Sequence, residues 1–428
     1  MKQEELKGIV HRARVSGITA DSDASKHRHS SAAMRISDTF TAQKHAPKQR
    51  YTRRALNLKT PLLTSAGFMT ATLFAYTAAV HMDAFAEIYA RLFYPVLCLL
   101  YGSLFSLLPI SLAELAVYAF CLLAAGYIVF SLIRVIYYRR YWYRALLRSV
   151  ACMLCAVSII LFSFLTLWGF HYYRAPLAVR LGLHASFSTQ QELYTLCRQL
   201  AIEASQLRES LPEDEEGVLQ LPHSTDTLFS MTREGYVRAQ SDFPALKGIY
   251  ARPKPVLYSE GMSYLGIAGI YVPFTFEPNV NIDMPGFNLP FTASHEMAHS
   301  IGIAPEEEAN FAAFIACTYH DDVYFRYSGV YTALAYTGNA LYAESRELYW
   351  QATEPLSDAV RRDRAYASAY WASFEGPVSE AQEVINDFYL KANHQEQGTK
   401  SYGLVVDLLL DYYRQTGYIL PGAQPYGA

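Results

Sequence analysis

The stretch HEMAHSIGIAPEEEAN, residues His295–Asn310, is the part of the chain that most limits its fold and its chemistry. His295 and His299 are four residues apart, so on a helix they lie on one face and can bind a single ion. Glu296 lies between them, where it can act as a base toward a water molecule at that ion. This HExxH pattern predicts a zinc (Zn²⁺) hydrolase site carried by a helix.

The third zinc ligand is expected in the acidic run that follows the motif. Gly302 stands where the HExxHxxG pattern of metzincins has its turn, but Pro305 occupies the ligand position of that pattern and excludes a histidine there. Glu306 is the preferred ligand and Glu308 is the alternative. Glu306 and Asn310 share a helix face and resemble the ExxxD pattern of gluzincins, with Asn310 in place of the aspartate that orients a ligating histidine. A competing interpretation is that these acids only occupy a helix N-terminus, where the helix dipole favours negative charge.

Several apolar segments are long enough to cross a bilayer about 30 Å thick. Residues 61–80, 111–135 and 149–170 are uncharged or nearly so, and they predict three transmembrane helices. Residues 84–109 are also apolar and aromatic, but charged residues and prolines interrupt them. This segment is an interfacial or re-entrant helix, or a fourth span; three spans are preferred.

Charge predicts the orientation of these helices. The first 60 residues hold 13 Lys/Arg and 5 Asp/Glu, and the loop between the second and third predicted spans carries several arginines and no acid. Since positively charged loops stay in the cytoplasm, the N-terminus is expected inside the cell membrane and the acidic part after residue 170 outside it. Apart from the basic tail, which is interpreted as solvated and close to the bilayer, the sequence has no nucleic-acid signature.

Three domains follow from these patterns. Residues 1–58 are predicted to be a disordered basic cytoplasmic tail, residues 59–171 a membrane region with about three transmembrane helices, and residues 172–428 an extracytoplasmic zinc metallopeptidase-like domain. The fold class is therefore an α-helical membrane region plus a mostly helical, α+β, gluzincin-like domain with a small edge sheet.

Local signals place the main elements of the third domain. Ser188–Gln191 resembles a capping box ahead of a helix, and Val256–Tyr258 and Leu265–Phe276 are rich in the β-branched and aromatic residues typical of strands. Thr292 is a plausible N-cap of the motif helix. Pro305 is expected to begin the next helix, since proline is favoured at a first helical position.

The segment His295–Cys317 resembles an uncharacterised bacterial family of polytopic membrane proteins with a gluzincin-type zinc site. Ser111–Leu115, Tyr172–Leu177, Asn386–Asn393 and Ser401–Gly403 add to the resemblance, which covers most of the chain from about residue 60. The resemblance implies a fold and a zinc site, and it implies no biological role.

Two further site features follow from the resemblance to gluzincins. These enzymes usually present an edge strand to the backbone of the substrate, and Leu265–Phe276 is the candidate strand. They also use a tyrosine or histidine to stabilise the tetrahedral oxyanion, and Tyr402 is the candidate donor.

Together, these features predict a membrane-anchored, zinc-dependent metallopeptidase. His295, His299 and Glu306 are expected to hold the metal, and Glu296 to serve as base and then acid. The expected substrate is a peptide or protein at the membrane surface. The alternative is a non-catalytic membrane scaffold or receptor whose zinc site is structural or vestigial; four closed protein ligands would favour it, and an open position would favour the enzyme.

Overall fold

The computed structural model describes residues 56–105, 108–183, 188–393, 395 and 402–421. Most of the predicted tail, residues 1–58, lies outside the described residues. The chain divides into two compact units, of which one comprises Met1–Leu63 and Ser131–Leu154 and the other comprises Thr64–Phe130 and Cys155–Ala428. The second unit contains the whole HExxH region.

The first half of the described chain consists of helices. In chain order they are α1 Lys59–His81, α2 Asp83–Ile88, α3 Tyr94–Leu97, α4 Ser103–Phe105, α5 Leu112–Tyr137 and α6 Trp142–Leu167. The predicted helices at residues 61–80, 111–135 and 149–170 correspond to α1, α5 and α6. Each of the three has more than 20 residues, which is enough to cross a bilayer.

A fourth stretch, Ala84–Gly102, is also long and apolar enough to cross a membrane. It is an irregular helix in which the π-helical turns Tyr89–Phe93 and Cys98–Gly102 alternate with α2, α3 and α4. Pro95, in the first turn of α3, has no N–H to give to a regular helical ladder, which accounts for a break in the α-helical pattern here.

The second half of the described chain is helical around one small sheet. Its elements are α7 Leu177–Leu181, α8 Gln190–Glu209, α9 Thr225–Met231, α10 Arg233–Ala239, β1 Lys254–Pro255, α11 Ser259–Tyr264, β2 Gly269–Val272, β3 Glu277–Val280, α12 Leu289–Ser300, α13 Glu306–Thr318, α14 Val323–Glu344, α15 Arg346–Ala352, α16 Asp358–Ala372, α17 Pro377–Ala392 and α18 Tyr402–Thr416. A capping box precedes α8 as predicted, but the predicted residues Ser188–Gln191 are wrong by one position, since Thr189 is the N-cap and Glu192 its partner.

The sheet has the order β1-β3-β2, with β1 parallel and β2 antiparallel to β3. The predicted strand Leu265–Phe276 contains β2, which lies at one edge. The predicted strand Val256–Tyr258 is wrong, since β1 ends at Pro255 and α11 follows. The central strand β3 was not predicted as a strand.

Polar contacts explain why β3 was missed. All four of its residues are buried, and two of them are polar. Glu277 pairs with Lys254 on β1 and accepts a hydrogen bond from the Ala113 amide at 2.8 Å. Asn279 accepts one from the Ser111 hydroxyl at 2.6 Å. Because distant residues satisfy these buried groups, the strand lacks the apolar alternation by which strands are recognised.

The helices carrying the motif lie in the main hydrophobic core. α12 and α13 pack against each other and against α14, and their apolar residues are almost all buried. α12 begins at Leu289 with Pro290 in its first turn, so the predicted N-cap Thr292 is wrong and lies inside the helix. Pro305 precedes α13 as its N-cap instead of beginning it.

Candidate metal centre

A tight turn folds α13 back against α12. Gly302 adopts the left-handed conformation (φ 82°) that commonly ends a helix at glycine. A Cβ atom there would also come within 2.6 Å of the His171 ring. Pro305 then begins the approach to α13. The turn brings Glu306 opposite the two motif histidines.

The three predicted ligands converge on one point. His295 Nε2 lies 3.1 Å from Glu306 Oε2 and 3.1 Å from His299 Nε2, and His299 Nε2 lies 3.7 Å from Glu306 Oε1. Ligand atoms about 2.0–2.1 Å from a tetrahedral zinc ion are about 3.3 Å apart, so the triangle has the size that zinc requires. Among the described residues, these three side chains form the group of His, Cys, Asp or Glu residues that could hold a metal ion.

Hydrogen bonding orients the His299 ring. Its Nδ1 atom lies 2.8 Å from the carbonyl oxygen of Ile303, in the turn after α12. A carbonyl can only accept, so Nδ1 carries the proton and Nε2 presents its lone pair to the centre. Burial lowers the pKa of His299 to about 4, which favours the same neutral form.

His295 and Glu306 form an ion pair in the same triangle. Burial favours the neutral form of each, but their mutual attraction outweighs it and raises the pKa of His295. His299 and His295 together lower the pKa of Glu306 to about 2. Asn310, one turn along α13 from Glu306, also favours protonated His295 and lines the adjacent cavity. The centre therefore contains an ionised carboxylate at neutral pH.

Glu296 is buried beside this triangle and is only 3% exposed. Its Oε2 atom meets no hydrogen-bond partner within the described part of the chain. Burial raises its pKa to about 8, and the Glu306 carboxylate adds to that shift. A Cβ atom on Gly269 would stand 2.4 Å from Glu296 Oε1, so only a glycine on β2 lets the carboxylate lie where it does. The unsatisfied oxygen is consistent with a water molecule at the centre.

The three consecutive acids have separate environments. Glu308, the alternative third ligand, accepts a hydrogen bond from the Leu177 amide at 2.6 Å and pairs with Arg180 at 3.4 Å. Its carboxylate is thus engaged with α7, and Glu306, not Glu308, lies with His295 and His299 in the group that could hold a metal ion. Glu307 lies near the Gln395 amide, and burial raises the pKa of Glu307 to about 7.

The metal triangle opens into a cleft made of two adjoining cavities of about 430 and 330 Å³. Both cavities are lined by His295, Glu296, Glu306 and the start of β2. We call α12 and α13 the motif wall. The opposite side of the smaller cavity, formed by Trp168, Tyr172 and α17, is called the membrane-side wall because Trp168 follows directly on α6.

Residues of the membrane-side wall were not predicted as site residues. Trp168 packs edge-on against the His299 ring, with centroids 5.8 Å apart. The hydroxyls of Tyr172 and Tyr389 lie 3.1 Å from each other, and burial, together with the nearby Glu306 carboxylate, raises the pKa of both groups. The only sequence signal was that Tyr172 and Tyr389 fall within segments of the family resemblance. The predicted oxyanion donor Tyr402 begins α18, and its side chain lies outside the described residues.

Comparison with known proteins gives one match. No curated protein and no solved structure matches the chain. A family model with the description "Protein of unknown function (DUF3810)" matches residues 89–410, a range that includes the motif wall and α17. The gluzincin resemblance stays a prediction. Since the matched range covers more than half of the chain, the protein belongs to the DUF3810 family.

Proposed function

We propose that this protein is a membrane-anchored, zinc-dependent metallopeptidase. The observation that carries the proposal is the triangle of His295, His299 and Glu306 beside the unpartnered carboxylate oxygen of Glu296. The triangle has the spacing of a tetrahedral zinc site, and the cleft leaves its fourth side open. Catalytic zinc sites have three protein ligands and an open position, whereas structural sites have four.

Zinc in this site would supply Lewis acidity toward a peptide carbonyl and would lower the pKa of water at the open position. The positive charge of a bound metal ion would oppose the upward shift of the Glu296 pKa and favour the ionised carboxylate. In that form Glu296 lies where it can accept the proton of that water and then deliver it to the leaving amine. Its buried position, and the close approach allowed by Gly269, hold the carboxylate in place for both transfers.

The edge strand β2 is suited to bind the backbone of a peptide. The Ala268 carbonyl accepts a hydrogen bond from the Asn281 amide at 2.9 Å, so the peptide groups of residue 268 face β3. Along an antiparallel strand, the backbone N–H and C=O groups of successive residues point alternately toward and away from the partner strand. Those of Gly269 and Tyr271 therefore point away from β3, toward the open edge of the sheet. Gly269 lines both cavities of the cleft. A substrate strand can therefore add to this edge next to Glu296.

Among the described side chains, Tyr172 and Tyr389 are the proposed oxyanion donors, and Tyr402 stays a prediction. Both line the smaller cavity together with the metal triangle, and their hydroxyls lie 3.1 Å apart. Burial raises the pKa of both groups, which keeps the phenols protonated and able to donate. Hydrogen-bond donors of this kind stabilise charge that develops on a carbonyl oxygen.

The contacts of the membrane helices support three crossings. The end of α1, the start of α5 and the end of α6 all meet the domain that holds the cleft: Tyr76 packs on Tyr173, the Ala113 amide binds Glu277, and Trp168 packs on His299. With these ends on the domain side, α1 and α6 run toward the domain and α5 runs away from it, which gives three crossings. We therefore propose that the N-terminus is cytoplasmic and that the domain lies outside the cell membrane, as the positive charges predict.

The stretch from α2 to α4 then stays on the domain side. Glu87 pairs with Arg174 at 3.1 Å, the Tyr94 hydroxyl lies 2.9 Å from that of Tyr271, and Lys254 donates to the Phe105 carbonyl at 2.8 Å. Both ends and the middle of the stretch thus contact the domain. A span would have to leave it, so this stretch is proposed to be re-entrant or interfacial.

The test is metal analysis and peptide cleavage by the full-length protein in lipid nanodiscs. The wild type and Glu296→Gln are expected to retain one zinc ion each, and only the wild type is expected to cleave a peptide library read by mass spectrometry. A matched control, Glu307→Gln, changes a neighbouring half-buried acid and is expected to keep most activity. Wild-type protein without stoichiometric zinc would contradict the proposal, whereas bound zinc with no cleavage would favour the scaffold or receptor.

A further inference from the structure

The amphipathic helix α17 carries an apolar stripe that no part of the described chain covers. Val384, Ile385 and Phe388 are spaced as neighbours on one helical face, and they are 71%, 67% and 74% exposed. Few soluble surfaces leave three adjacent large apolar side chains this open, and such patches mark interaction surfaces.

The other faces of α17 are already used. Gln382, Asn386 and Tyr389 line the cleft, Ile385 lies at the border between the cleft and the stripe, and Leu390 is buried. Glu380 and Glu383 are exposed on the side away from the cleft. The helix thus has a cleft face, an acidic face and an apolar stripe between them. It shares its amphipathic character with helices that lie at a membrane surface, but its polar face is acidic where theirs is usually basic.

The position of α17 identifies the bilayer as the partner of the stripe. The Tyr389 ring packs edge-on against Phe164, with centroids 6.3 Å apart. Phe164 lies in the last turn of α6, an apolar helix long enough to span a membrane. This contact places α17 beside the end of α6, so the exposed stripe lies near the level at which a membrane-spanning α6 would leave the hydrocarbon.

The metal centre lies close to the same level. Trp168 follows α6 directly and contacts the ring of His299, and Tyr172 lines the cleft one turn later. Tryptophan and tyrosine favour the interface between headgroups and hydrocarbon. The cleft therefore opens beside the end of α6, and α17 lines it there together with Trp168 and Tyr172.

We propose that α17 lies in the membrane interface and that substrates enter the cleft along the bilayer surface. The substrate class is then a polypeptide anchored in the membrane, cleaved a short distance outside the hydrocarbon. The position of α17 stands without the proposed peptidase activity, whereas the substrate class rests on it.

The position of α17 is tested by fluorescence quenching in nanodiscs. Single cysteines at Val384→Cys and Phe388→Cys carry a polarity-sensitive dye, in a background with Cys121, Cys152 and Cys155 changed to serine. Glu380→Cys and Glu383→Cys are the matched controls on the acidic face. We expect spin-labelled lipid to quench the dye at 384 and 388 but not at 380 and 383, and aqueous iodide to do the reverse.

Two results would overturn this position of α17. Quenching of 384 and 388 by iodide would show that the stripe faces water. Protection from both quenchers would show that a protein covers it, such as a second copy of this chain. Both results are independent of peptide cleavage.

The substrate class is tested with one peptide library in two forms. In one form each peptide precedes a synthetic transmembrane helix in the same bilayer as the protein; in the other form it is free in solution. The wild type is expected to cleave the anchored form at least about tenfold faster, because membrane binding concentrates it at the cleft. The double variant Val384→Asp/Phe388→Asp is expected to lose this preference while retaining zinc and cleavage of the free form.

Equal rates for both forms by the wild type, with α17 in lipid, would overturn the substrate class alone. If neither form is cleaved although zinc is bound, the peptidase proposal fails, and with it the substrate class, but the lipid contact of α17 is still decided by the quenching data. The failures of the two proposals are thus distinguishable.

Discussion

The motif wall of the cleft comes from one continuous stretch of sequence, whereas the membrane-side wall comes from the end of α6 and from α17, far apart along the chain. On the motif wall, Glu296 and His299 are almost fully buried. On the membrane-side wall, Ile385 is largely exposed. Under the proposals above, the buried motif wall would hold the metal, and the more exposed membrane-side wall would contact lipid and substrate.

The largest effect is expected for the metal ligand on the motif wall. Glu306→Ala removes one of three ligands and is expected to lower zinc affinity by more than about a hundredfold, beyond the range typical of an outer hydrogen-bond partner. Competition with a zinc-binding dye measures the affinity.

Glu308→Ala is the matched control for that substitution. It removes the Leu177 and Arg180 contacts of a buried carboxylate, so we expect a loss of about 2–3 kcal/mol of stability with little change in zinc affinity. A larger affinity loss for Glu308→Ala than for Glu306→Ala would reverse the ligand assignment.

A smaller effect is expected for the membrane-side wall. Tyr389→Phe removes one proposed oxyanion donor and is expected to lower kcat about a hundredfold, with zinc and KM nearly unchanged. Steady-state kinetics with a cleaved peptide measure both constants. Tyr413→Phe, on α18, is the control; an equal loss there would mean that the Tyr389 effect is not specific.

A still smaller effect is expected where β2 meets the motif wall, at the close approach of Gly269 to Glu296. Gly269→Ala places a methyl group within 2.4 Å of Glu296 Oε1, so the carboxylate must shift. Since misplacement of a catalytic group by about 1 Å can cost up to a hundredfold, kcat is expected to fall about tenfold or more with zinc retained. Gly376→Ala, whose methyl group meets open space, is the control and is expected to have no effect. Normal activity of Gly269→Ala would mean that the position of Glu296 is not critical.

The smallest effect is expected for Asn310, which lies beside the proposed ligand His295. Asn310→Ala removes the carboxamide beside His295, and zinc affinity is expected to fall about tenfold, the lower end of the range for a group that orients a ligand. The dye competition used for Glu306 measures this change. A loss as large as that of Glu306→Ala would indicate that Asn310 takes part in metal binding directly.

The two walls also differ in how far the sequence predicted them. The proposed ligands on the motif wall follow from helical spacing and from Pro305, which excludes a histidine at its position. Their arrangement depends on residues within sixteen positions of one another. The contrast between Glu306 and Glu308 could not be predicted, because it depends on the contacts of Glu308 with Leu177 and Arg180 in a distant helix.

The membrane-side wall and the central strand could not be predicted in this way. Trp168 and Tyr389 are two of many aromatic residues, and only the fold brings them to one cleft. β3 is a strand because Lys254 and Ser111 satisfy its buried polar residues, and no local pattern records such partners. The three long apolar helices, in contrast, follow directly from composition.

His295, His299 and Glu306 are proposed to bind zinc with one position open. Zinc X-ray absorption spectroscopy of the wild-type protein in nanodiscs measures this coordination. We expect one zinc per chain, with nitrogen and oxygen neighbours at about 2.0–2.2 Å, two imidazole rings and no sulfur. Absence of bound zinc, or a shell containing sulfur at about 2.3 Å, would contradict it.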